Sequence, residues 1–174
     1  MTFAALAASL AAVAPSVGAA QPHEGAYASV GYANVDLSRG QFDAGQARVG
    51  YRFHRFGGVE GEFALGLGEE TLNSIGGTFD IKLKRAYAVY AVGFVPLSPK
   101  TDILARIGYG ESRVSIDVGP SSVGRTADSI NFGAGVQHHF DGRNGVRLDY
   151  TRYQSQDSSS DDADVWSIAF SRRF

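Results

Sequence analysis

Side chains along most of this chain alternate with a period of two. The pattern is cleanest at 45–53, where Ala47, Val49, Tyr51 and Phe53 fall on one side and Gln46, Arg48, Gly50 and Arg52 on the other. Period two belongs to an extended strand, and here one face is apolar while the other is charged or glycine. The next segment, Val59 to Gly68, sets Val59, Phe63, Leu65 and Leu67 against Glu60, Glu62 and Gly66. Similar alternation recurs from Ile81 to Val95, Thr101 to Tyr109, Ile130 to Phe140, Val146 to Tyr153 and Asp164 to Phe174. Gly25 to Leu37 is less regular, because Val35 and Leu37 break its parity. Eight strands are therefore predicted, and nothing after residue 20 reads as a membrane-spanning helix.

The connections alternate in length. Short turns fall at 54–58, 96–100 and 141–145, and longer polar segments at 38–44, 69–80, 111–129 and 154–164. Each short turn keeps the face parity of its two strands, as an antiparallel ladder requires. Within the long segment 111–129, Val114 to Val118 is a candidate extension of the strands. The expected fold is all-β: an eight-stranded antiparallel up-and-down barrel.

Such a barrel has two possible senses. With the apolar faces inward it is a soluble, lipocalin-like container. With those faces outward it spans a membrane, for which strands of about 9–11 residues are long enough. In a bilayer only the second sense survives. An Arg at mid-depth on the lipid face costs about 2–4 kcal/mol, so Arg48, Arg106 and Arg147 together would cost on the order of 6–12 kcal/mol, comparable to a domain's whole stability of about 5–15 kcal/mol. Two features favour the transmembrane sense. Aromatics on the apolar face, among them Tyr51, Phe53, Tyr109, Phe140 and Trp166, gather near strand ends as interfacial girdles do. The charged face also carries Gly50, Gly66, Gly108, Gly133 and Gly135, which leave room for long side chains in a narrow lumen. Arg48, Arg52, Glu60, Glu62, Arg106, Arg147 and Asp149 then form a candidate network inside, with Arg48 and Arg52 beside Glu60 and Glu62, because buried charges need partners.

The 174 residues, 44% hydrophobic with a formal charge of −2, fit one domain and give no electrostatic reason to bind nucleic acid. Cysteine is absent, which removes disulfide and thiol chemistry. Residues 3–20 form an Ala-rich apolar run that breaks at Pro15 and ends in small residues. They are expected to be a cleaved secretory leader (1–20, cut after Ala19 or Ala20), although no Lys or Arg precedes the run. The mature barrel would be 21–174.

Several strings resemble the small outer-membrane β-barrel proteins of the OmpA/OmpX type: Val49-Gly-Tyr-Arg-Phe53, Ala105-Arg-Ile-Gly-Tyr-Gly110, Phe132-Gly-Ala-Gly-Val-Gln137 and Leu148-Asp-Tyr150. The likeness runs over nearly all of the mature chain. It implies a monomer in the Gram-negative outer membrane, among its lipids and lipopolysaccharide. It implies that Trp166, Phe170 and Phe174 on the final strand serve recognition by the barrel-assembly machinery. No peptidoglycan-binding segment is expected after that strand, so cell-wall tethering is not implied. A charge pair that exchanges partners would make a narrow ion channel, the main alternative to an inert barrel. Some barrels of this size modify lipid A.

For enzymatic work the residues fall short. His138 lacks a Ser and an acid on its own face at its level, so no triad forms, and no catalytic residue is assigned. His138 and His139, being adjacent, point to opposite faces and cannot chelate one ion, so neither metal nor cofactor is expected. Lys82, Lys84, Arg85 and Arg152, near the long-loop rim, are candidate contacts for lipopolysaccharide phosphates. The acidic stretch Asp157 to Asp164 reads as a solvated loop, and the long loops are where a host or surface partner would bind. The expected role is non-enzymatic: envelope integrity, or surface interaction through the loops.

Overall fold

The computed structural model describes residues 24–37, 40–67, 70–74, 77–118, 121–156 and 162–174, with side chains except at 70–84 and 114–125. The leader expected at 1–20 lies outside these residues. Among the described residues nine strands are formed: β1 (Gly25–Leu37), β2 (Gly40–His54), β3 (Gly57–Gly66), β4 (Glu70–Ser74), β5 (Gly77–Ser98), β6 (Thr101–Val118), β7 (Ser121–His139), β8 (Asn144–Ser155) and β9 (Ala163–Arg173). Every pairing is antiparallel. Neighbours in sequence pair in turn, except that β3 pairs with β5 and β1 with β9. Eight strands thus close into a ring, and β4 forms a short hairpin on the outer end of β5. Closure removes every free sheet edge within the ring. It is completed by the ladder from Tyr27–Arg173 to Leu37–Ala163, and by the Phe174 amide donating to the Ala26 carbonyl at 2.9 Å.

One rim is built from tight turns. Arg55–Phe56 joins β2 to β3, Pro99–Lys100 joins β5 to β6, and Phe140–Arg143 joins β7 to β8. In the last, the Asp141 carboxylate accepts the backbone amides of Arg143 (3.0 Å) and Asn144 (2.6 Å), and Gly142 takes a positive φ of 81°. Glycine has no Cβ to oppose that conformation.

At the other rim the strands run further than the alternation predicts. Three segments expected as loops are corrected here. Residues 40–44 belong to β2, 70–74 pair with the start of β5 as the β4–β5 hairpin, and most of 111–129 continues β6 and β7 as a long hairpin. Beyond the barrel both faces of a hairpin meet water, so alternation fades while backbone pairing continues.

The sense of the barrel follows from exposure. Phe63, Val89 and Leu148 are 37%, 66% and 49% exposed on the outer wall, whereas Glu62 and Arg106 are 7% and 3% exposed inside. A soluble container would show the reverse, so the lipocalin-like sense is excluded. The lumen also holds apolar groups. Val92, Phe94 and Leu104 pack with Tyr27 and Tyr90 toward the turn end, and Ala33, Ala44 and Val165, with Val35 and Tyr153 against them, lie toward the loop end. Val35 breaks the sequence parity because it turns into this inner cluster. Glycine makes room for the inner rings: a Cβ at Gly50 would meet the Tyr27 ring, and one at Gly108 the Tyr90 ring.

Candidate functional site

The inward faces of β2, β3, β6 and β8 deliver the charges. Arg48 stands opposite Glu62 across β2–β3, and Glu60 follows two residues along β3 on the same face. Arg106 comes from β6, and Arg147 and Asp149 from β8. Period two points all of them into a lumen that eight strands make just wide enough for side chains. There they meet. Arg48 Nε donates to Glu62 Oε2 at 2.7 Å, and its Nη1 donates to Asp149 Oδ2 at 2.8 Å. Arg147 Nη1 donates to Glu60 Oε2 at 2.5 Å, and its Nε donates to Asp149 Oδ2 at 2.9 Å. Arg106 Nη1 bridges Glu60 Oε1 (3.1 Å) and Glu62 Oε2 (3.3 Å).

Three guanidiniums therefore face three carboxylates, and every carboxylate touches at least two guanidiniums. Neutral donors occupy acceptor positions that remain. Tyr27 donates to Glu60 Oε2 at 3.0 Å, Tyr90 to Glu62 Oε1 at 3.2 Å, and Tyr153 also to Glu62 Oε1. Ser167 and Thr151 hydroxyls accept from Arg48 and Arg106 respectively. The Arg106 guanidinium lies 4.8 Å from the centre of the Tyr90 ring. Ions withdrawn from water need this density of partners, because each carries a desolvation cost of several kcal/mol.

Arg52 does not join this layer. Instead of lying beside Glu60 and Glu62 it reaches Asp102 with both terminal nitrogens, at 3.2 and 3.3 Å. Asp102 also accepts from Arg173 at 2.6 Å, and the Arg52 guanidinium stacks 4.1 Å from the Phe94 ring centre. The cause is height: Arg52 sits at the turn end of β2, opposite Gly58, within reach of Asp102 on β6 rather than of the mid-strand carboxylates. Asp102, Arg173, Tyr27 and Tyr153 are participants that the sequence reading did not single out. Their inward parity was readable, but their partners come from strands distant in sequence.

The outer-rim candidates separate. Arg152 is paired with Asp162 (3.1 Å) and Asp164 (3.3 Å), and Asp164 also accepts the Tyr150 hydroxyl. Arg85 is exposed 5.9 Å from the Tyr87 ring and faces Arg113 across the β5–β6 ladder. The side chains of Lys82 and Lys84 lie outside the described residues. Trp166, Phe170 and Phe174 are exposed on the outer wall of β9, with Trp166 against Tyr150 at 4.9 Å between ring centres. His138 faces outward and bonds Thr101 Oγ1 at 2.9 Å, while His139 is buried. Among the described residues no cluster of His, Asp or Glu is arranged to hold a metal ion.

An apolar wall around a charge-filled lumen, ringed by aromatics and closed without a sheet edge, defines a transmembrane β-barrel. The chain belongs to the outer membrane protein beta-barrel domain family, whose sequence model matches residues 3–174, and it is an integral outer-membrane protein. Among solved structures it is similar to Ail, the attachment invasion locus protein of Yersinia pestis (19% identity, TM-score 0.65, covering 87% of this chain and 99% of Ail). It is also similar to Neisserial surface protein A (14%, TM-score 0.61, covering 86% and 96%) and to the N-terminal barrel of Pseudomonas aeruginosa OprF (9%, TM-score 0.60, covering 85% and 98%). Identities this low carry the fold alone. No curated protein sequence matches the chain.

Proposed function

We propose that this protein is a non-enzymatic, non-conducting barrel that supports the envelope and meets external partners through its protruding hairpins. One observation carries this reading: the lumen is crossed by six buried, mutually compensating charges, with apolar clusters toward both ends. An ion entering would have to break pairs that nothing in the lumen replaces. The strands supply the outward part. β5, β6 and β7 have 22, 18 and 19 residues, against 10 to 12 in β3, β8 and β9. The excess carries a sheet on the order of 20 Å past the rim, and among the described residues its β7 edge at 121–127 pairs only with β6. An unpaired edge of this kind suits strand addition by a partner polypeptide.

A lipid-A hydrolase is disfavoured. His138 lies at the turn rim, away from the lipopolysaccharide leaflet, and bonds a threonine. Lipopolysaccharide contact is assigned to Arg85 rather than Arg152, because the Asp162 and Asp164 carboxylates already hold Arg152. Residues 1–20 are assigned as the leader, the β9 aromatics as the assembly signal, and the barrel as a monomer.

Planar-bilayer recording of the mature chain tests the sealed lumen. We expect no steady conductance in the wild type, and step conductance on replacing Arg48 together with Glu62 by alanine. A stable open current in the wild type would refute the inert reading in favour of a pore. Lipid A of altered mass on overexpression would refute the non-enzymatic part.

A further inference from the structure

The turn-side rim is basic and the loop side is not. Arg52, Arg55, Lys100, Arg143, Arg172 and Arg173 lie at the turn end, against Glu24, Asp102 and Asp141. The segments at the opposite end hold more acids than bases. Two of the turn-side acids are committed elsewhere. Asp102 is shared by Arg52 and Arg173 inside the mouth. Asp141 accepts three hydrogen bonds within its own turn, and these hold its carboxyl down at about 2. Among the described residues no carboxylate pairs with Arg55, Lys100, Arg143 or Arg172.

Two of these four cations lie against the ring of an outward aromatic, and a third bonds the backbone of one. The Arg55 guanidinium lies 4.6 Å from the centre of the Phe56 ring. Lys100 Nζ donates to the Phe140 carbonyl at 3.0 Å. Arg172 reaches to 5.9 Å from the Phe174 ring. All three rings are exposed on the outer surface. Aromatics mark the edge of the hydrocarbon layer, and a long basic side chain next to one places its charge at headgroup level. The rim therefore sets cations, spaced around the barrel, where lipid phosphates lie.

We propose that this rim docks the phosphates of anionic phospholipids in the periplasm-facing leaflet. Basic groups close to an anionic surface attract it, and salt screens that attraction within a Debye length. The docking ties the barrel's depth to its lipid, independently of the lumen and of the protruding sheet.

The test is native mass spectrometry of the mature barrel released from nanodiscs of equal phosphatidylglycerol and phosphatidylcholine. We expect phosphatidylglycerol to be retained in preference, with the preference falling roughly fivefold for each cation removed in the series R55Q, K100Q, R143Q and R172Q. The loop-rim variant R85Q/R113Q should keep it. Heat-modifiable gel mobility reports whether each variant folds. Should the fourfold variant not fold, salt titration of the wild type decides, since the preference must decline as salt rises. Equal retention of both lipids by the wild type, a preference indifferent to salt, or equal loss in R85Q/R113Q would overturn the proposal.

Discussion

Glu60 has three guanidiniums within 4 Å, more than Glu62 or Asp149. It accepts from Arg147, Arg106 and Tyr27, and Arg48 Nε stands 3.8 Å away. Its worth is therefore not one ion pair but the compensation of several guanidiniums that cannot reach water. Glu60→Ala should destabilise the folded barrel by about 3–5 kcal/mol, because it leaves buried positive charge without a partner. Replacing Glu60 and Arg147 together by apolar residues of similar size should cost less, since an excised pair also removes its desolvation. Urea unfolding followed by heat-modifiable mobility measures both. Equal stability of Glu60→Ala and wild type would mean that water, not the network, solvates those arginines. That Glu60 and Arg147 face the lumen was legible from alternation alone. That they bond each other was not: they are 87 residues apart in sequence, and only barrel closure and strand stagger decide who meets whom.

At the scale of the strand, alternation is a record of the bilayer. Within β2, β3, β8 and β9 one face meets lipid and the other the lumen, so their parity could be read directly. Where β5, β6 and β7 leave the membrane, both faces are wet, and the sequence no longer distinguishes a paired strand from a polar loop. That is why the outer hairpins were expected as loops. It also explains Arg52, whose face was legible but whose height was not, and height gives it Asp102 rather than Glu60. The lipid face can be tested at its centre. Val89 is exposed mid-strand on β5, and Val89→Arg should cost about 2–4 kcal/mol when unfolding is measured in lipid vesicles. A neutral outcome there would place the outer wall of β5 in water.

For the molecule as a whole, the central claim is that lipid covers the apolar wall while charge fills the inside. The chain carries its own probe, a single tryptophan, and Trp166 is exposed on the outer wall of β9. Its fluorescence in vesicles containing phospholipids brominated along their acyl chains gives the most direct measurement. We expect strong quenching by the brominated lipid and little by aqueous acrylamide. Emission untouched by the brominated chains but quenched by acrylamide would contradict it.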